Sequence, residues 1–443
     1  MSGPAAAGLW RHRGFMLLWS GQAVSEVGSQ VTSLALPLLA ALSLHATTFQ
    51  VALLSAASSA AFLLVALQAG VLVDRARKKR VLVSSDLLRA LVIATVPLAQ
   101  VLGVLTIWQL YVVAFATSVL TVFFDVAYQS YLPVLVSTEQ LVEGNSKIGA
   151  SQSFAEFAGP GLGGLLVSAI GAAYAVLLDA VSFAVSTAAT AAIADPEAPP
   201  ATRAAGIRLR TEIAEGLGFV LAHPILSKVV GCTATGNFFR ATWGSLEIVF
   251  LVRVLHASPR AVGVVFALSA VGGLAGAGVC ARLTRAVGSA RIIWLSELVV
   301  IPFLFAGPSA FPGYGVLLIA VSGFATGMMA VVYNVAQVSY RQAVTPAHLL
   351  GRMNASTRFI VWGVMPLGAL TGGAVASIIG VRPTLYATAA GGSLSVLWVI
   401  FSPLFGMRDV PGPHPHPDDL VPSRIDPAAS EPAPDTPAGA AAP

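Results

Sequence analysis

"GVLVDRARKKRVL", Gly70 to Leu82, is the stretch on which the reading of this chain turns. Five cations and one aspartate fall within the seven residues Asp74 to Arg80, and a long apolar run lies on either side. Elsewhere the chain avoids charge: Asp, Glu, Lys and Arg together make up 10% of its 443 residues, against roughly 25% in an ordinary soluble protein. Hydrophobic residues make up 56% and the mean hydropathy is +0.80. A soluble core cannot take up that much apolar surface. A stack of membrane helices can, and the charged block is then a turn between two of them.

Working outward from this turn, the chain divides into twelve apolar runs, the first near 15–42 and the last near 383–405. Each is long enough to cross about 30 Å of hydrocarbon as a helix. The expected fold class is an all-α membrane protein of twelve transmembrane helices. With the N-terminus inside, 19 of the 25 Lys and Arg residues fall on the cytoplasmic side. Arg253, Arg260 and Arg382 fall outside, and Arg89, Arg240 and Arg358 within the membrane. The bias of basic residues toward cytoplasmic loops predicts that both termini are cytoplasmic, with Asp74 to Arg80 between the second and third spans.

The longest break between spans is 195–224, beginning "DPEAPPATRAAG", which reads as a cytoplasmic linker between a six-helix half at 1–194 and another at 225–405. Residues 406–443 are rich in Pro and Ala and poor in large apolar residues, the composition of a disordered cytoplasmic tail. Cys232 and Cys280 sit inside apolar runs without metal-ligand spacing, so neither a disulfide nor a metal is expected.

The halves repeat one another. "FDVAYQSY" (124–131) returns as "YNVAQVSY" (333–340), and "RVLVSSDL" (80–87) as "RIIWLSEL" (291–298). Asn145 precedes Gly163-Gly164 at the same spacing as Asn354 precedes Gly372-Gly373. Matches at nearly one offset, in one order, predict two six-helix repeats, an architecture of secondary transporters that bind between the repeats.

Polar residues recur at helical spacing in four spans. Span one has Gln22, Glu26, Ser29, Gln30 and Ser33; span four has Thr117, Thr121, Asp125 and Tyr128. Span seven has Thr233, Asn237, Arg240, Gly244 and Glu247; span ten has Ser322, Thr326, Tyr333 and Gln337. Serine and threonine can bond their own helix or a neighbour, but a charge in mid-membrane needs a partner or water. The stripes therefore predict a solvated cavity with Gln22, Gln30, Asn237, Arg240, Glu247, Tyr333 and Gln337 as substrate-facing candidates. Glu26, Asp125 and Glu156 are the candidate proton carriers.

The opening stretch also resembles the loop signature of the major facilitator superfamily, G-x-L-a-D-r-x-G-r-k. Arg77 replaces its second glycine, which is similar to the macrolide-efflux and enterobactin-exporter branch. "AEFAGPGLGG", Ala155 to Gly164, resembles the fifth-helix signature of antiporters, with Ala155 in place of the first glycine and Gly159, Pro160, Gly163 and Gly164 retained. The resemblance covers residues 1 to about 405. It implies that Gly70 lets two helices approach, that Asp74 meets a helix N-terminus of the other half, and that Arg75, Lys78, Asp86 and Arg89 complete a conformational latch. It further implies a plasma-membrane secondary transporter, active as a monomer, exchanging protons for a hydrophobic drug or natural product. A dedicated siderophore or metabolite exporter is the alternative within transport. An ATP-driven pump is disfavoured by the lack of a phosphate loop, and a polytopic membrane enzyme by loops that offer mostly arginine. No cofactor and no nucleic-acid partner is indicated.

Overall fold

The computed structural model describes residues 9–137, 140–194, 217–346 and 349–409. Most of the expected linker, 195–216, and the tail from residue 410 lie outside the described residues. Among the described residues the protein is helical and has no strand. The first helices are α1 (Arg13–Leu38), α2 (Thr48–Arg75), α3 (Lys78–Val101), α4 (Ile107–Leu135), α5 (Leu141–Ile170) and α6 (Ala172–Ala191). Then come α7 (Leu226–Val249), α8 (Pro259–Val287), α9 (Arg291–Ala306), α10 (Gly315–Val344), α11 (Leu350–Ile379) and α12 (Val381–Ser393), the last continuing through Leu394–Val396 and Leu397–Ile400.

Local chemistry sets the ends. Thr47 accepts from the Gln50 N–H, and the Gln50 side chain accepts from the Thr47 N–H, a reciprocal cap for α2. Ser258 caps α8, whose first residue is Pro259. Gly171 (φ 85°) and Gly380 (φ 89°) turn the chain between α5 and α6 and between α11 and α12, a conformation that disfavours any residue with a Cβ. Both α1 and α7 end in a single π-turn, Leu39–Ser43 and Phe250–Val254. Each is followed by a histidine with positive φ, His45 (50°) and His256 (54°).

Nine helices among the described residues are long and apolar enough to cross a membrane. The other three fall short for legible reasons. Helix α9 has 16 residues, while α1 and α7 carry the polar stripes read from the sequence, which lower their hydropathy. The outer surface of the bundle is apolar, with Leu91, Leu98, Val112, Leu317, Leu367 and Ile378 exposed, as contact with hydrocarbon requires.

The helices pack in two groups, α1–α6 and α7–α12, which meet chiefly through α2 against α11 and α5 against α8. The face with the α2–α3, α4–α5 and α8–α9 turns carries the charged block and is called the basic face below; the other is the opposite face. Toward the opposite face both groups share one apolar core, which includes Leu34, Val51, Ile93, Val176, Leu246, Val262 and Ile319. Toward the basic face the core divides: Leu18, Phe124, Tyr131 and Leu132 cluster within the first group, and Val229, Ile293, Val332 and Tyr340 within the second. The division leaves room for a cavity.

Candidate functional site

A cavity of about 570 Å³ occupies the first group's inner wall, lined among others by Gln22, Glu26, Arg89, Thr121, Asp125, Tyr128, Asn145, Gly149 and Gln152. It runs from the middle of α1 toward the basic-face ends of α4 and α5. Glu26 is half-buried on α1, and the Gln22 side-chain amide donates to its carboxylate at 3.2 Å. Asp125 is exposed to the cavity from α4. The charges that reach Glu26 are the carboxylates of Asp125 and Glu156 and the guanidinium of Arg89. Glu156 is exposed one turn beyond Gln152. The three candidate proton carriers therefore belong to one electrostatic neighbourhood.

Arg89 is the fixed cation of this wall. Both Asp86 and Arg89 are buried, at 0% and 4% exposure, and they form an ion pair across one turn of α3. A buried pair is held in place by partners for its remaining valences, and all but the Arg89 Nε, which has no hydrogen-bond partner among the described residues, are supplied by neighbouring helices. Here Ser186 of α6 donates to Asp86 at 2.6 Å, Arg89 donates to Thr121 of α4 at 3.3 Å, and the guanidinium lies between the Phe124 and Phe183 rings at 4.4 and 4.3 Å. The pair, which the i, i+3 spacing allows on one helix face, thus ties α3, α4 and α6 together inside the first group.

The remaining latch residues lie along the α2–α3 turn. A Cβ at Gly70 would meet open space and Arg75 is exposed. Lys78 opens α3, and the Asp74 side chain lies outside what is described.

In the second group, several expected cavity residues serve helix packing. Asn237 of α7 donates to the Val361 carbonyl of α11 at 2.8 Å. Tyr333 of α10 is buried, with its hydroxyl 2.7 Å from Thr233 of α7. Gln337 is buried and donates to Asn334 at 2.9 Å. Glu247 is half-buried near the opposite-face end of α7, with Trp243 on the preceding turn as its hydrogen-bond partner. Gln30 packs its Cβ against Gly159, joining α1 to α5. Arg240 differs: it is exposed, and Cβ atoms placed at Gly236 and Gly244, one turn to either side, would meet open space. That face of α7 is uncovered.

The fifth-helix signature divides between two neighbours. Gly159 and Gly163 face Gln30, Val31 and Leu34 of α1, while a Cβ on Gly164 would stand 2.6 Å from the Gly263 Cα of α8 and one on Gly263 would stand 2.9 Å from the Pro160 carbonyl. The glycines bring α1, α5 and α8 into backbone contact at the opposite face.

Two acids escaped the stripe argument, Asp179, which is buried, and Glu297, which is half-buried. Asp179 on α6 accepts from Ser182 at 3.1 Å, and Glu297 on α9 accepts from Ser395 at 3.1 Å. Each is the lone acid of an apolar helix, and that was the available signal. Among the described residues no cluster of three His, Cys, Asp or Glu could hold a metal.

A polytopic helical bundle with a polar, membrane-depth cavity open toward one face defines a membrane transporter. The chain belongs to the transmembrane secretion effector family of the major facilitator superfamily, whose profile it matches over residues 5–428. It is similar to multidrug efflux pump Tap of Mycolicibacterium fortuitum, at 27% identity over 84% of this chain and 91% of that one. It is also similar to macrolide efflux protein A of Streptococcus pyogenes, at 22% identity over 83% and 90%. Among solved structures, a mutant nucleoside transporter NupG superposes with a TM-score of 0.71 at 13% identity, covering 88% of this chain and 99% of that one. A bacterial homologue of iron transporter ferroportin, 17% identical, superposes with 0.68 in its inward-facing state, over 89% and 99%, and with 0.54 in its outward-facing state, over 87% and 98%. The protein is a multi-pass membrane transporter and not an enzyme.

Proposed function

We propose that this transporter exports a hydrophobic drug or natural product from the cytoplasm in exchange for protons, by alternating access of a single chain. The observation that carries the reading is the membrane-depth cavity with Glu26 and Asp125 on its wall, open toward the basic face while the opposite face is sealed by a shared apolar core. With the basic face cytoplasmic, as the bias of basic residues toward cytoplasmic loops predicts, this is an inward-open conformation. The better superposition on the inward-facing ferroportin homologue supports that assignment. Efflux direction and drug-like cargo are supported by the named activities of Tap and macrolide efflux protein A.

The twelve-helix, two-repeat architecture, divided at 1–194 and 225–405, is part of the proposal. Its support is geometric. The π-turns and positive-φ histidines recur at an offset of 211 (His45, His256), and the turn glycines at 209 (Gly171, Gly380). The crossing of Gly164 with Gly263 recurs as that of Gly373 with Ala52.

In this reading Glu26, Asp125 and Glu156 share the coupling proton, and Gln22, Tyr128, Asn145 and Gln152 offer hydrogen bonds to cargo. Arg240 would face the same space from the second half. The latch from Gly70 through Lys78 would close when the basic face does. The test is uptake of a labelled macrolide and a labelled cationic dye into inverted membrane vesicles, with and without an imposed pH gradient. Gradient-driven accumulation is expected; uptake indifferent to the gradient would refute proton antiport.

A further inference from the structure

Arg253 stands in the π-turn that ends α7, and its guanidinium leaves its own helical group. One of its terminal nitrogens donates to the carbonyl of Ala41 at 3.3 Å and to that of Ala46, both in the turn that joins α1 to α2. Those carbonyls are suited to a cation. The last carbonyls of a helix lack intrahelical partners and carry the negative end of its dipole. The π-turn after α1 pairs Leu44 N–H with the Leu39 carbonyl and Ala46 N–H with the Ala40 carbonyl. With His45 in the left-handed conformation, the chain folds back so that Ala41 and Ala46 present their oxygens to one nitrogen.

The two turns are copies of each other. Leu44-His45-Ala46 returns as Leu255-His256-Ala257, each after a π-turn and before a hydroxyl cap, Thr47 or Ser258. At the same offset of 211, Arg253 corresponds to Leu42, which has nothing to donate. The contact therefore runs one way, from the second group to the first. The other two cations of this face do different work. Arg382 donates to Pro308 at 2.8 Å and lies over the Phe250 ring, all within the second group, and Arg260 is exposed.

We propose that Arg253 is the lock of the opposite face, a positioning residue that sets how much of the time that face is shut. The small-residue crossings at Gly164 with Gly263 and Gly373 with Ala52 permit close approach, but they offer nothing polar to hold it. Arg253 supplies two charge-assisted hydrogen bonds that exist only while the groups are together at this end. Opening the opposite face must break both, whereas opening the basic face leaves them intact. The proposal rests on the alternating-access reading and assigns a residue to one half of that cycle.

The test measures both faces at once. In a chain with Cys232 and Cys280 replaced by alanine and reconstituted in lipid nanodiscs, spin labels at Ser43→Cys and Arg260→Cys report the opposite face. Labels at Arg80→Cys and Arg285→Cys report the basic face; all four positions are exposed. Arg253→Met keeps the aliphatic stem and removes the donors. It is expected to raise the ratio of opposite-open to basic-open molecules about tenfold, a change equivalent to ~1.4 kcal/mol, with long distances growing at one face and short ones at the other. Wild-type distributions at both faces in Arg253→Met would overturn the lock. Arg253→Gln, too short to reach both carbonyls, provides the same decision should the methionine variant fail to fold. If the unsubstituted chain shows a single distance at each face across pH and added macrolide, alternating access itself fails and the lock with it. A reciprocal shift confined to the Arg253 variants supports the lock alone.

Discussion

The Ser186 hydroxyl lies 2.6 Å from the Asp86 carboxylate, bridging α6 to α3, and 209 to 211 residues later Ser395 makes the same bridge to Glu297 at 3.1 Å. The first bridge completes a buried ion pair with Arg89, whereas at Glu297 the cation that acts on the carboxylate is Arg240, from a different helix. One packing device has been kept in both groups and charged differently. In the first it fixes Arg89 at the cavity wall.

Removing Asp86 should therefore be costly, because it strands a buried guanidinium. Asp86→Ala is expected to lose about 3–5 kcal/mol of stability. Ser186→Ala, which removes one donor to a charged acceptor, should lose about 1.5–3 kcal/mol. Thermal unfolding of detergent-solubilised protein would rank them, and an Asp86→Ala protein that melts with the wild type would show that the pair carries no structural weight.

A second prediction concerns the seal of the opposite face. A Cβ on Gly164 would stand 2.6 Å from the Gly263 Cα and 2.8 Å from the Pro259 carbonyl, both backbone atoms that cannot yield without moving a helix. Overpacking of this kind costs about 1–3 kcal/mol, which falls on the closed opposite face alone. Gly164→Leu should accordingly cut vesicle transport by roughly tenfold or more at normal membrane abundance. Unchanged transport would mean that this crossing is not part of the cycle.

The basic face carries the third. Asp74→Asn preserves size and removes the charge by which the latch is expected to grip a helix N-terminus, while an exposed pair adds little stability. Slower transport with undiminished abundance is the expected result. In the same cells, a cysteine at Arg80 should resist an impermeant thiol reagent that labels one at Arg260. Labelling of Arg80 from outside would invert the orientation, and wild-type transport by Asp74→Asn would reduce the block to a topology anchor.

How much of this was legible beforehand depends on what periodicity can carry. The helices and their turns follow from apolar runs punctuated by Gly171, Gly380 and hydroxyl caps, so local chemistry was enough. The stripe on α1 led to Glu26, and that on α4 to Asp125, because a polar row inside an apolar helix marks its wet face. The same argument failed to separate Asn237 and Tyr333, which bond neighbouring helices, and Gln337, which is buried and bonds Asn334 on its own helix, from Arg240, whose face is open. A stripe says that a helix has a polar side but not whether water or another helix meets it. Arg253 was read only as an outer loop charge, since its partners are backbone carbonyls of Ala41 and Ala46, and a carbonyl leaves no trace in side-chain pattern.

The last prediction concerns coupling at Glu26. The residue stands 13 positions beyond Arg13 on α1, about 20 Å along a helix at 1.5 Å per residue, and so near the middle of the membrane. Its carboxylate accepts from Gln22 and shares the cavity with Asp125 and Arg89. An acid in this position can meet water from whichever face is open, which is the requirement for carrying a proton across. It could equally serve only to hold a cationic cargo, and the two roles separate cleanly. Glu26→Gln keeps the shape and can still bond Gln22, but it cannot exchange a proton. If Glu26 is the carrier, the variant should lose accumulation driven by a pH gradient while retaining downhill exchange of labelled for unlabelled cargo. If Glu26 only binds the cargo's cation, exchange should weaken together with accumulation, and neutral cargo should be spared. Accumulation at the wild-type level in Glu26→Gln would remove it from the coupling path and leave Asp125 and Glu156, the two carboxylates that already act on it, as the groups to replace next.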